Sequence, residues 1–405
     1  MREALAIYAR FLRIGLNAFG GPFTQIATLQ RELVVNEKWT TNARFNRVLA
    51  VYQALPGPEA TEMCVWLGAC RAGRLGAIAA GLGFLTPGTL LVLLAAWLYA
   101  HFGLPPVAAA AMAGAQAAAL ALLCNAVRIL GQRACTDSTL VFIAVVAGLT
   151  SLGGMHFGVI LVLSAMAGYL TDRGKNWAGF GLIGGMAFFS LMIFLWRTLS
   201  SQDAPLIEPG TAANAGKATI LEGLMSGAKA GLLSFGGAYT AVPFLRDDAV
   251  VFNNWMKHTQ FLDGVAIVNT LPTPLVSLAG FVGFQAGGWP VALVMLAAVY
   301  IPAFAFTLIG HSRIERLVEN ESFHAALDGA AACVVGLVAA AAVLLFKPTF
   351  FPDAAANGTP PSATLWYIKG ALFIAALALA VRYRQVWLNP AIILTAAAVG
   401  AVLLH

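Results

Sequence analysis

Phe19-Gly20-Gly21-Pro22, running on into Phe23-Thr24-Gln25, interrupts an apolar stretch of membrane length. Inside a helix Gly costs about 1 kcal/mol and Pro about 3 kcal/mol against Ala, so the interruption serves a purpose. Proline suits the first helical turn, where its missing N–H is no loss. A helix opening at Pro22 would present the amides of Phe23, Thr24 and Gln25, and Gly20 and Gly21 would allow close approach. Converging helix N-termini of this kind form an anion site. The pattern returns as Phe235-Gly236-Gly237, followed by Ala238, Tyr239 and Thr240. A second kind of break, Pro56-Gly57-Pro58, has Pro272-Thr273-Pro274 as its later counterpart. Freed backbone groups in hydrocarbon must find partners, so the four breaks predict non-helical backbone lining a cavity. Tight packing of Gly and Pro backbone is the competing use.

Charged residues close to the breaks extend this chemistry. Arg13 and Lys229 each stand six residues before the Phe of Phe-Gly-Gly. A cation near the bilayer centre costs roughly 2.5–3.5 kcal/mol and so usually has a task, here holding the anion. Snorkelling to the interface is the alternative for both. Glu59 and Glu62, in "PGPEATE", sit one helical turn apart, and Leu275 and Leu278 replace them in the later copy. An acid at a helix N-terminus can simply complement the dipole. In an anion transporter the pair would instead carry a coupled proton. No nucleophile elbow, P-loop or dinucleotide fingerprint is present, so neither catalytic residues nor a cofactor are expected. The five cysteines (Cys64, Cys70, Cys124, Cys135, Cys333) and six histidines are scattered without metal-ligand spacing, and packing thiols are the expectation.

The elements that must position these residues follow from composition. Of 405 residues, 60% are hydrophobic and 10% charged, with a mean hydropathy of +0.80; soluble proteins carry roughly 25% charged residues. Long apolar runs such as "GTLLVLLAAWLYAHF" recur throughout, predicting an all-α polytopic membrane protein rather than a barrel of alternating short strands. The net charge of +6 reflects basic loops, as positive-inside topology requires, and no nucleic-acid partner is expected. The start of the chain lacks the apolar core and cleavage site of a signal peptide.

A shift of 216 positions aligns Gly15, Leu16, Phe19, Gly20, Gly21 and Thr24 with Gly231, Leu232, Phe235, Gly236, Gly237 and Thr240. Trp39 falls on Trp255, Phe45 on Phe261, Pro56 on Pro272 and Pro58 on Pro274. Such self-similarity marks an internal duplication, and duplicated halves with paired broken segments are a secondary-transporter pattern. Loop charges give the halves' relative orientation. "RAGR" (Arg71, Arg74) faces an uncharged "FQAGGWP"; "HFGLPP" faces "HSRIER" (Arg313, Arg316). "VRILGQR" (Arg128, Arg133) faces a polar stretch with one lysine, and "SLGGMHFG" faces "RYRQ" (Arg382, Arg384). The basic loop changes halves each time, which predicts inverted-topology repeats.

The expected organisation is a first membrane repeat over 1–200, with an extra span near 177–199. A polar external linker over 201–216 and an inverted repeat over 217–405 follow. Met1 is placed in the cytoplasm and His405 outside. The arms Ala4–Ala18 and Pro22–Leu33 would be about 22 and 18 Å long, reaching the midplane of a core about 30 Å thick. Phe45–Leu55 and Pro58–Cys70 behave alike. Read as two re-entrant hairpins, these segments return Arg31, Lys38, Arg44 and Arg47 to the cytoplasm; full crossings give the same parity.

At "FGGPFTQIATLQRELVVNEKW", "LPGPEATE", "LGACRAGRLGAIAAGLGFLTPG" and "FGGAYTAVPFL" the chain resembles the chromate ion transporter family. The resemblance covers both halves. It implies oppositely oriented membrane domains that export chromate from the cell and confer resistance, with sulfate as the competing analogue. It carries over Gly20, Gly21, Pro22, Gln25, Glu32, Trp39, Pro56, Gly57 and Pro58; Thr273 stands where the first half has Gly57. The residues alone reach an inverted-repeat anion transporter, and the ion's name comes from the resemblance. Sulfate or another oxyanion, or passive anion conduction, are the alternatives. The partners are then chromate and the lipid bilayer of the cell membrane, and a homodimer is compatible with the sequence.

Overall fold

The computed structural model describes residues 2–199, 217–235, 237–318, 321–351, 363–383, 385 and 387–404. The linker 201–216, Met1, Gly236, Arg384 and His405 lie outside the described residues. Those described are helical, without a β-strand. In the first half α1 (Arg2–Leu16), α2 (Pro22–Leu29) and α3 (Asn42–Ala54) precede α4 (Glu59–Phe102), α5 (Pro106–Ala134), α6 (Ser138–Leu152), α7 (Phe157–Asp172) and α8 (Asn176–Leu199). The second half has α9 (Ile220–Leu232), α10 (Ala241–Arg246), α11 (His258–Thr270), α12 (Leu278–Val318), α13 (Glu321–Phe350), α14 (Ala363–Arg382) and α15 (Leu388–Leu403). Among the described residues five stretches are long and apolar enough to cross a membrane: Glu59–Phe102, Pro106–Ala134, Leu275–Leu308, His324–Phe350 and Leu365–Arg382. The stretch expected as an extra span is helical as α8, but its apolar part, Trp177–Ile193, is shorter than these five. "HSRIER", expected as a loop, continues α12 as helix to Val318. It has neither a helix-breaking proline nor a glycine to end the helix.

The short elements end where their sequences dictate. α1 buries Ile7, Phe11 and Ile14 on one stripe and stops before Gly20 and Gly21, whose φ values are +88° and +87°. Pro22 then opens α2, and a π-helical turn, Gln30–Asn36, continues it. Thr41 caps α3 by accepting from the Arg44 amide. Arg10 holds the π turn against α1 through Glu32 (3.1 Å) and Glu37 (2.6 Å). Trp39 donates its indole N–H to Glu37 and meets Phe11 edge-on. Glu32 and Trp39, carried over by the resemblance, fasten the arm to α1.

The same deformations recur in the second half. A π turn follows α10 at Asp247–Phe252. The two non-glycine residues of positive φ among those described, Lys38 (+56°) and Asn254 (+51°), stand 216 positions apart. α4 kinks at Ala72–Gly73 and α12 at Gly287–Gly288, now 215 apart. One residue is thus missing between Pro274 and Gly287. Leu275–Ser277 there forms a 3-10 turn. Three residues rise about 6 Å in that form against about 4.5 Å in an α-helix, which offsets the deletion.

Helix crossings follow the duplication as well. α1 lies on α4 and α9 on α12, while α5 packs on α14 and α15 and α13 on α6 and α7. Each half's second long helix therefore rests on the closing helices of the other half. Glycine makes these contacts possible. A Cβ on Gly400 would meet the Ala110 carbonyl oxygen at 2.6 Å, and one on Gly168 would meet that of Ala325, also at 2.6 Å. Backbones this close are how helices associate in lipid, where no hydrophobic force separates protein from solvent. Gly168→Val and Gly400→Val are each expected to cost about 1–3 kcal/mol or more through overpacking. Gly181→Val, on α8 where nothing lies within 4 Å, should be neutral. Thermal unfolding in detergent of the three variants checks this contrast.

Candidate functional site

The breaks of the two halves meet each other. A Cβ on Gly21 would touch the Tyr239 ring at 3.8 Å, and one on Gly237 would touch Pro22 Cγ at 3.7 Å. Both glycines have left-handed φ, +87° and +134°, so any side chain there is strained whatever the space. Gly57 N–H donates to the Ser234 carbonyl at 2.7 Å, next to an isolated antiparallel bridge between Pro56 and Phe235. The Pro-Gly-Pro break of the first half is thereby hydrogen-bonded to the Phe-Gly-Gly break of the second. On the other side Gly20 and Gly21 share a small cavity with Leu271 and Thr273, from the later proline break, and with Tyr239, Val268, Asn269, Leu275 and Asn389. Its volume is about 10 Å³, room for roughly one water.

Polar groups around this cavity are linked. Tyr239 donates its hydroxyl to Asn269 Oδ1 (3.1 Å) and accepts from Asn389 Nδ2 (3.3 Å). Thr273, Ser277 and Tyr300 form a buried hydroxyl chain with links of 2.5 and 2.6 Å. Gln25 is 2% exposed and donates to the Ala18 carbonyl at 2.8 Å, bracing the approach to the first break. Thr24 and Thr240 give their hydroxyls to the carbonyls of Gly20 and Gly237. Those two hydroxyls are engaged locally, which leaves backbone groups and the amides of Asn269 and Asn389 around the cavity. By helix geometry the Phe23 and Thr24 amides at the start of α2 have no intrahelical acceptor. In the second half the corresponding start is a 3-10 turn, Ala238–Thr240, instead of an α-helix. Without a proline at its first position this turn winds more tightly.

The expected cations are not brought to the cavity. Arg13 lies on the exposed face of α1. Lys229 makes an ion pair with Asp248 at 2.6 Å and stands 5.6 Å from the Phe157 ring centroid. Glu59 and Glu62 are fully buried at the start of α4, behind Pro58. Among the described residues no hydrogen bond of strict geometry reaches the two carboxylates; Gln53 stands near enough to Glu59 to donate weakly, and Arg133 attracts it. Glu62 lies against the α-carbon of Gly57, where a Cβ would overlap its carboxylate. The acids thus adjoin the cross-half hydrogen bond without lining the cavity. Asn269 and Asn389 were not anticipated. Asn269 could have been found as a lone amide just before "LPTP", whereas Asn389 reaches Tyr239 from 150 positions away.

The model of the chromate transporter family matches residues 5–169 and 222–401, so both sets of breaks fall inside it. The chain belongs to the chromate transporter family. It is 44% identical over 344 residues to a chromate transport protein of Pseudomonas aeruginosa, covering 85% of this chain and 81% of that one. A chromate transport protein of Cupriavidus metallidurans is 29% identical over 83% of this chain and 81% of its own length. A probable chromate transport protein of Synechococcus elongatus is 29% identical over 84% and 85%. No solved structure matches the chain. Within this family member Tyr239, from the second Phe-Gly-Gly break, lines one cavity with Gly20 and Gly21 of the first. Tyr239→Phe keeps the ring against Gly21 but leaves Asn269 and Asn389 without their shared partner. A destabilisation of about 1 kcal/mol is expected, read as a lowered Tm in detergent, with Tyr8→Phe on α1 as a control that leaves the breaks untouched.

Proposed function

We propose that the chain is a secondary transporter that exports chromate across the cytoplasmic membrane, coupled to protons, with its halves inverted in the bilayer. The observation that carries this reading is the closeness of the two Phe-Gly-Gly breaks, where a Cβ on Gly21 would reach Tyr239 and one on Gly237 would reach Pro22. Two half-helices that start face to face direct amides and positive dipole ends at one point. The names of the relatives from Pseudomonas aeruginosa and Cupriavidus metallidurans supply the ion. With Arg13 outside the cavity and Lys229 held by Asp248, the anion's charge is met by backbone, which favours entry without trapping the ion. A cavity of about 10 Å³ is too small for a tetrahedral oxyanion, so loading requires the two halves to part, as alternating access demands.

Glu59 and Glu62 are the coupling pair in this reading. A dianion near the breaks repels their negative charge through a medium of low dielectric, so anion and proton occupancy become interdependent. Their absence from the second half fits one relay serving one shared site. Chromate flux in everted vesicles tests the proposal. Gly21→Val and Gly237→Val should abolish transport while the protein still folds; normal transport by both would place the site elsewhere. Glu62→Gln should bind the anion yet lose dependence on the proton gradient, and wild-type dependence in Glu62→Gln and Glu59→Gln alike would exclude the pair. Gradient-independent counterflow in the wild type would favour a passive channel, and preference for sulfate a different oxyanion.

The inverted arrangement puts 201–216 and the end of the chain outside and the start of the chain in the cytoplasm. A cysteine at Ala213 should react with an impermeant reagent applied outside, and one at Arg74 should not. Labelling of the Arg74 probe from outside would overturn the inversion.

A further inference from the structure

A second cleft lies away from the breaks. It has a volume of about 360 Å³ and is lined by helix ends, Pro106 opening α5, Pro348 closing α13, Leu365 opening α14 and Leu404 after α15, with Gln116 and Lys369 deeper in. Helix α14 is the least buried of the candidate spans, only 17% of its apolar window being covered. Lys369 is nonetheless 3% exposed: its charge is turned into the protein instead of towards the interface. A lysine placed so within a membrane helix is a functional candidate whose partner should be identifiable.

The obvious counter-ion is already engaged. Asp263 of α11 accepts from Tyr99 at Oδ2 (2.7 Å) and from Gln116 at Oδ1 (2.8 Å). It attracts Lys369 electrostatically but makes no ion pair with it within 4 Å among the described residues. The hydrogen bond of Lys369 goes to the Thr349 carbonyl at 2.9 Å. An ammonium has three donors, and among the described residues only this one is used, which leaves two towards the cleft. Tyr99 and Gln116, by engaging both carboxylate oxygens, keep Asp263 from locking the lysine. α11 then joins this cleft to the central cavity: Thr259 lines the first, Asn269 the second, ten residues or about 15 Å apart along the helix.

We infer that this cleft is a second site for a tetrahedral oxyanion, held by Lys369, on the path between the central cavity and one membrane face. The inference rests on the proposed anion transport only for the word path; the site itself is testable by binding. The purified full chain in phosphate-free maltoside micelles is titrated with radiolabelled sulfate by equilibrium dialysis. Two ions should bind per wild-type chain. Lys369→Gln should weaken one of them by about tenfold or more, the loss expected for a charge-assisted hydrogen bond, and Lys369→Arg should retain it. Gly21→Val should remove the other ion and leave the Lys369-dependent one in place. If Gly21→Val binds both, the reading of the breaks fails while this one stands. If Lys369→Gln, folded by its thermal transition, binds as the wild type does, this one fails.

A second measurement leaves Lys369 in place. In a chain whose native cysteines are replaced by serine, Ala113→Cys, on the cleft wall, is modified by an anionic thiosulfonate. Sulfate should slow that reaction several-fold without slowing a neutral reagent's; equal rates with and without sulfate would overturn the site. Added phosphatidylglycerol distinguishes the source of the anionic group. Protection by the lipid alone, and none by sulfate, would make the cleft a headgroup seat and end its reading as a solute site.

Discussion

A backbone amide cut loose from its helix inside a membrane has no water to turn to. This chain cuts its helices four times and joins the ends to one another. The Gly57 amide finds the Ser234 carbonyl, Pro56 bridges to Phe235, and Gly21 shares a small cavity with Tyr239. Each partner comes from the other half, so a broken segment is stable only when its counterpart is in place. The surrounding architecture keeps these ends in register. The Arg10–Glu32 and Lys229–Asp248 pairs tie the π turns to α1 and α9. Kinks at Gly73 and Gly288 bend the long helices, and glycine crossings bring the backbones near enough for the breaks to meet.

Much of this was legible in the residues, for reasons that can be named. Gly-Gly-Pro and Pro-x-Pro can hardly sit in a helix, so the positions of the breaks and of Pro22 at the start of α2 follow from steric rules alone. The duplication was legible because the glycines, prolines and tryptophan that set backbone geometry resist drift in spacing. Side-chain pairing was less so. Lys229 and Asp248 are 19 positions apart, and nothing local announces that one neutralises the other; counted along the sequence, Lys229 resembles a free cation. Arg13 aligns with it but turns to the exposed face. Asn389 reaches Tyr239 only through the fold. The π turns were missed because one extra residue per turn leaves the apolar pattern almost unchanged.

The missing residue after Pro274 shows how the two halves keep matching kinks while their sequences part. Glu59 to Glu62 gives the first half an α-helical start with two buried acids. Leu275 to Ser277 gives the second half a tighter, apolar start that covers the same rise with one residue fewer. Chemistry has diverged at a point where length was conserved. One half supplies carboxylates, the other the Thr273–Ser277–Tyr300 hydroxyl chain, and both lie beside the same set of breaks.

The crossing of α5 over α14 and α15 has a bearing on how the molecule is made. Chains enter the membrane in the order of synthesis, so α5 is inserted long before the helices that cover it exist. Until α15 emerges, Gly114 and its neighbours must face lipid or a chaperone with a surface shaped for protein. Helix α13 is in the opposite position, since α6 and α7 are already waiting when it arrives. The face of α5 is thus left open for most of translation, until α14 and α15 leave the ribosome.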